Sequence, residues 1–184
     1  MADKDQVAIL NQGVEAWNKW RKENPDEILD LNGAELMNMN LENANLAEAD
    51  LKKANLSFSN FKNANLAFSN LQSANFSFAN FEGANFTAAD LENSHLEDAN
   101  LVGARFSGAN LKNARLANSN LKDAYLADAQ LEGTILNAAN FRNANLSSVT
   151  YDQKILWKLV NNRFQSKETV ASKRQYTIRH YYSL

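Results

Sequence analysis

From Leu29 to Ser148 the chain repeats one hydrophobic and polar pattern every five residues, without insertion or deletion. If the bulky position is called i, Leu or Phe fills it at all 24 sites from Leu31 to Leu146: 18 Leu and six Phe (Phe61, Phe76, Phe81, Phe86, Phe106, Phe141). Position i−2 is Ala at 17 sites and Ser at four, and i−1 is Asn at 14 and Asp at three, so three of the five positions are tightly restricted. The other two are mostly polar or small.

A five-residue period suits neither regular element. In an α-helix five residues advance 500°, a net 140°, and the Leu side chains would scatter around every face. In one long strand an odd period sends successive Leu to alternate faces. A chain that buries every fifth residue on one side must therefore turn about once per pentad. Within each short extended segment i−2 and i point the same way and i−1 and i+1 the other. Ala and Leu/Phe go inward, and Asn and Asp go outward. Asn and Asp also suit frequent corners, because they tolerate left-handed backbone and bond their own main chain. The pattern predicts a coil with a column of Leu/Phe beside a column of Ala/Ser, its turns stacked like parallel strands roughly 4.8 Å apart.

The ends break the period. Val7, Leu10, Val14 and Trp17 follow one another at +3, +4 and +3, which predicts an amphipathic helix over 6–23, with Trp20 adding apolar area at a second angle. Asp5 is the expected N-cap, and Asn24-Pro25 ends the helix. Beyond Tyr151, the residues Ile155, Leu156, Leu159, Val160 and Phe164 predict a second helix over roughly 152–164. Open ends of a coil invite end-to-end association, and repeat proteins cover them. The expected organisation is a helical cap over 1–28, the repeat over 29–150, and a C-terminal helical cap with a basic, aromatic tail over 151–184. Over 165–184 Lys167, Lys173, Arg174 and Arg179 stand against Glu168 alone, beside Tyr176, Tyr181 and Tyr182.

Composition narrows the chemistry. The chain has 184 residues, no Cys, two His and a net charge of −2. Without Cys there is no disulfide framework, thiolate metal site or Cys nucleophile. The near-neutral charge gives no whole-chain case for nucleic-acid binding. No apolar run is long enough to span a membrane, and the charged start lacks a signal-peptide core, so a cytoplasmic location is expected. There is no Gly-rich phosphate loop, no HExxH, no EF-hand loop and no His cluster, so no cofactor and no metal are expected.

Ala44-Asn45-Leu46, Ala64-Asn65-Leu66, Ala84-Asn85-Phe86, Ala109-Asn110-Leu111 and Ala144-Asn145-Leu146 match an A(D/N)LXX signature. In this the chain resembles the pentapeptide-repeat proteins, abundant in cyanobacteria. The opening Gly13–Arg21 with Asn24-Pro25 is also similar to the N-terminal segment of cyanobacterial members. The resemblance implies an all-β solenoid, a right-handed quadrilateral parallel β-helix with four pentads per coil and about six coils. It allows a homodimer through the C-terminal helix.

Four-sidedness places residues 20 apart in one column and gives four walls, centred on Leu51, Leu56, Phe61 and Leu66. Phe58 and Phe78 should then stack at i+2 on the Leu56 wall, with Phe68 on the opposite wall. The departures from Asn at i−1 also fall into columns: His95, Arg115 and Ile135 on the Leu56 wall, Arg105 and Tyr125 on the Leu66 wall. These residues form the candidate partner-binding surface, with Glu97 and Asp98 beside His95. A hydrolase arrangement of His95, Asp98 and a Ser would need a concave pocket, which a convex rod does not supply, so no enzyme activity is expected.

The functional expectation is a non-enzymatic scaffold that docks an unidentified protein partner along one face. The alternatives are a self-associating structural rod and, as some family members imply, a DNA mimic acting on DNA gyrase. Duplex DNA as long as six such coils, roughly 29 Å, carries about 17 charges. The repeats hold eight basic and 13 acidic residues, and residues 151–184 hold seven basic and two acidic. No wall is a phosphate track, and nucleic acid as a partner is disfavoured. Inserting one residue after Leu91 puts every later Leu out of phase. The expected outcome is a far larger drop in melting temperature than any surface substitution gives; equal drops would contradict the pattern.

Overall fold

The computed structural model describes residues 1–155. One pentad shows how the chain is built. Around Leu71, Asn70 N donates to Ala49 O (3.0 Å), Leu71 N to Asp90 O (2.7 Å), Ser73 N to Glu92 O (2.9 Å) and Ala74 N to Leu71 O (3.1 Å). The fifth donor, Gln72 N, finds the Asn70 side chain at 3.2 Å. Every N–H of the pentad is satisfied, as a backbone packed on both sides requires. The bond closing on Leu71 O is a turn, and the residue inside it has positive φ. Each pentad from Gly33 to Ser148 has such a residue at i+2, with φ between 54° and 72°. The left-handed corner is therefore at i+2 and not at the Asn-rich i−1 position.

Parallel bridges join residues 20 apart without a break from Asp30↔Asp50 to Gln130↔Thr150. Twenty residues, or four pentads, thus make one coil. Every Leu or Phe at i from Leu31 to Phe141 is 0–2% exposed, and the Ala or Ser column beside it is buried as well. Five of the Phe rings meet at the centre: Phe61 stacks on Phe81 at 4.6 Å and Phe86 on Phe106 at 4.7 Å, with Phe76 edge-on to Phe61 and Phe81.

The i−1 side chains face outward but are bonded to one another. Asn Nδ2 donates to the side-chain oxygen 20 residues earlier: Asn60 to Asn40, Asn80 to Asn60 and Asn100 to Asn80 at 2.9–3.1 Å, and Asn70 to Asp50 and Asn110 to Asp90 at 3.0 Å. An Asn here accepts from its own i+1 N–H and donates to the coil before, so it serves as a ladder rung rather than solvated surface. On the Leu56 wall the rungs Glu35–Asn55–Asn75 stop at His95, and on the Leu66 wall Asn45–Asn65–Asn85 stop at Arg105.

The N-terminal segment forms two helices where one was expected over 6–23. These are α1 (Lys4–Leu10) and α2 (Val14–Glu23). Gly13, at φ 106°, breaks the run between them. Asp3, not Asp5, is the N-cap of α1, accepting from Asp5 N and Gln6 N. Asn24 ends α2 as expected. Leu10 and Trp17 are fully buried. The helices bring polar groups to the edge of the first coil. Gln6 Oε1 accepts from Asp30 N (3.0 Å), Asn18 Oδ1 accepts from Asn45 N (2.8 Å) and Trp17 Nε1 donates to Asn45 O (2.8 Å). They meet donors and an acceptor that a preceding coil would otherwise meet.

At the other end Asp152 accepts from Gly133 N at 2.9 Å and from Ile155 N at 3.0 Å. The Gly133 bond above all holds its carboxyl below the usual carboxylate range. The expected helix to Phe164, a dimer through it and the basic, aromatic tail lie outside the described residues, apart from a helical start at 153–155. Among the described residues no helix is long and apolar enough to cross a membrane.

The ladder yields a test. In Arg105→Asn the new amide can donate to Asn85 Oδ1 and accept from Ser107 N–H. At about 0.5–1.5 kcal/mol net per hydrogen bond, chemical denaturation should show the variant to be about 1 kcal/mol more stable than the parent chain.

Candidate protein-docking walls

Two opposite walls give up the ladder. On the Leu51 and Phe61 walls the i−1 position is Asn, Asp or Gln throughout. On the Leu56 wall it becomes His95, Arg115 and Ile135, and on the Leu66 wall Arg105 and Tyr125. Glu97, Ser107, Ala117 and Ala127 then follow residues that lack the side-chain oxygen an Asn offers to the i+1 N–H. These substitutions leave the coil without the side-chain hydrogen bonds that Asn supplies elsewhere.

On the Leu56 wall the expected cluster forms, with a different centre. Glu97, whose side chain is 18% exposed, accepts from Arg115 Nε and from Ser77 Oγ (3.3 Å). His95 Nδ1 lies 3.7 Å from the other Glu97 oxygen reached by Ser77. Asp98, which the sequence offered as the partner of His95, instead occupies an exposed left-handed corner at φ 58°. Ser94 is fully buried in the interior and Ser77 is bonded to Glu97, so neither is aligned with His95 as a nucleophile. The role of Ser77 was not legible from its own pentad. It follows only once residues 20 apart are known to be neighbours. Among the described residues, no group of three or more His, Cys, Asp or Glu could hold a metal ion.

The aromatic candidates sit where the sequence placed them. Phe58 and Phe78 stack at 4.9 Å with ring planes 5° apart, and Phe68 stands on the opposite wall. All three are more than half exposed and all occupy left-handed corners at φ 60–63°. A bulky residue gains little from such exposure and is strained in that conformation, where Gly and Asn are at ease. Tyr125, 53% exposed, shares the Phe68 wall with Arg105. The structure thus groups Phe58, Phe78, His95 and Arg115 on one wall and Phe68, Arg105 and Tyr125 on the other. Met37, 48% exposed, and Ile135, 37% exposed, extend the first group.

A cleft of about 420 Å³ lies between α1 and the first pentads, lined by residues including Val7, Ala8, Ala34, Lys4 and Glu35. It holds none of the candidate residues.

The pentapeptide repeats family model matches in eight copies, within 30–57, 49–87, 59–98, 84–123 and 124–150. No curated protein matches the chain. Similar solved structures include a pentapeptide repeat protein from the Arabidopsis thaliana thylakoid lumen, 27% identical over 76% of this chain and 83% of that one, TM-score 0.34. Another is the pentapeptide repeat protein Rfr23 of the cyanobacterium Cyanothece 51142, 29% identical over 74% of this chain and 94% of that one, TM-score 0.29. A third, from Nostoc PCC 7120, is 29% identical over 61% of this chain and 84% of that one, TM-score 0.34. Pentapeptide repeat proteins fold as right-handed quadrilateral β-helices and are generally non-enzymatic structural or binding proteins. With its repeats matched from residue 30 to residue 150, the chain belongs to the pentapeptide repeat family.

Proposed function

We propose that the protein is a non-enzymatic protein-binding scaffold. It works as a rigid rod of about six coils, closed at its N-terminal end by α1 and α2, and docks partner proteins on its Leu56 and Leu66 walls. The observation that carries this reading is the loss of the amide ladder on those two walls, where Arg, His, Tyr and Ile replace a residue that would stabilise the coil. The exposed, strained Phe58, Phe68 and Phe78 support it, since aromatic residues and Arg are the side chains that dominate protein interfaces. The wall charges favour it over a mimic of duplex DNA: they sum to −2, −2, 0 and −1 on the Leu51, Leu56, Phe61 and Leu66 walls. Such mixed, weak charge does not reproduce a phosphate track.

The test is affinity capture from the native cell with the full chain and with a triple variant of the Leu66 wall, Phe68→Asn, Arg105→Asn and Tyr125→Asn. These changes restore corner and ladder residues, so the variant should melt no lower than the parent. The expected result is a protein captured by the parent and lost by the variant. Identical captured proteins from both would remove the support for this wall.

A further inference from the structure

α1 and α2 close the core of the first coil but only half of its rim. Over the Leu31 pentad they supply Gln6 Oε1 to Asp30 N and Asp3 N to Asp30 O (2.8 Å). Over the Leu46 pentad they supply Asn18 Oδ1 to Asn45 N and Trp17 Nε1 to Asn45 O. The Leu36 and Leu41 pentads between them receive no such groups. Among the described residues, the backbone N–H and C=O of Glu35 and of Asn40 have no partner, and neither do Met37 O and Glu42 O. Glu35 and Asn40 are exposed, whereas Asn55 and Asn60, one coil later in the same columns, are half-buried. Leu36 and Leu41 beneath the rim are 2% and 0% exposed, so it is the edge and not the core that is open.

An unpaired edge specifies what pairs with it. The next coil shows the required order: Asn55 N donates to Ala34 O, Leu36 N to Asn55 O and Asn38 N to Ser57 O. In that order the open rim needs an acceptor for Glu35 N, donors for Glu35 O and Met37 O, an acceptor for Asn40 N and donors for Asn40 O and Glu42 O. An extended, parallel polypeptide that turns after five residues supplies all six. The side chains select further. Glu35 Oε2 accepts from Asn55 Nδ2 (2.9 Å), and the carboxylate stays exposed, which suits a basic residue at the rung above it. Asn40 Oδ1 accepts from Asn60 Nδ2 (3.1 Å) and Glu42 N (3.3 Å), so its own Nδ2 is left to donate to an Asn or Asp oxygen. The cleft of about 420 Å³ between α1 and this rim, lined by Val7, Ala8 and Ala34 beside Glu35, offers apolar surface to inward side chains.

We propose that the Glu35–Asn40 rim binds an extended segment of a partner protein, which adds to it as two pentads of a preceding coil. The segment carries a basic residue over Glu35, Asn or Asp five residues later over Asn40, and apolar residues next to each rung. The site stands at the end of the rod, apart from the wall residues tested above, so its failure would leave the reading of the Leu66 wall untouched.

A synthetic peptide of residues 114–123 is a suitable probe, because it presents Ala114, Arg115 and Leu116 and then Ser119, Asn120 and Leu121 in that order. Amide hydrogen exchange by NMR on the full chain reads the rim directly. In the free chain Glu35 and Asn40 should exchange fast while Asp30 and Asn45 are protected, and the peptide should slow Glu35 and Asn40. Fluorescence anisotropy with the labelled peptide should saturate below about 1 mM. Glu35→Lys should weaken binding about fivefold, and the Arg115→Glu peptide should restore it by exchanging the charges. Glu92→Lys, the same charge change on the Leu51 wall, should leave binding as it is. If Glu35→Lys lowers the melting temperature, the exchange of Glu35 and Asn40 in the parent chain carries the test. Slow exchange of those two amides before peptide is added, no saturable binding, equal binding of a scrambled peptide, or equal loss in Glu92→Lys would overturn the proposal.

Discussion

A pentad has five backbone N–H groups, and the architecture depends on most of them finding acceptors within one coil of the chain, all five where i−1 is Asn or Asp, as around Leu71. Three go to the coils before and after, one closes a turn, and the last goes to the oxygen of the Asn or Asp at i−1. A backbone that changes direction every five residues exposes more unpaired polar groups than a straight strand does. Stacking is most favourable where each corner is satisfied locally. The pentad meets that condition with one side chain. The column of Ala and Ser keeps the walls close enough for the inter-coil bonds, and the Leu and Phe column fills what remains.

This constraint also gives the surface its meaning. Where the amide is kept, the side chain serves the coil. Where it is replaced, the coil loses bonds, and that loss is the basis for proposing that the replacement acts outward. The exposed Phe residues follow the same logic at the left-handed corners, where they are strained and only half covered. Surface residues that interrupt the ladder occur together on opposite walls, while the other two walls keep Asn, Asp or Gln at i−1.

Much of the frame was legible in the sequence because its cause is periodic. Inward Leu and Ala, the frequent turns and the stacking of Phe58 on Phe78 follow from the five-residue period once four pentads make a coil. The rest depended on contacts that a linear reading does not rank. Asn at i−1 reads as solvated until the neighbour 20 residues away is seen to accept its amide. The left-handed corner falls at i+2, where Phe, Lys and Glu also occur, because geometry imposes it and composition does not mark it. Gly13 divides the N-terminal helix despite a continuous apolar stripe, since a residue at φ 106° cannot continue helical hydrogen bonding. His95 was paired with Asp98 by proximity in sequence, whereas the column brings Glu97, Ser77 and Arg115 together.

The register of 20 separates two kinds of length change. Gaining or losing one whole pentad keeps every bulky residue on the axis but rotates all later columns by a quarter turn, so Arg115 and Ile135 would leave the wall that holds Phe58 and Phe78. Only a change of four pentads returns each column to its place. A lineage of such rods can therefore redistribute its outer chemistry in five-residue steps while the packed axis stays the same, and can lengthen without redistribution only in steps of 20.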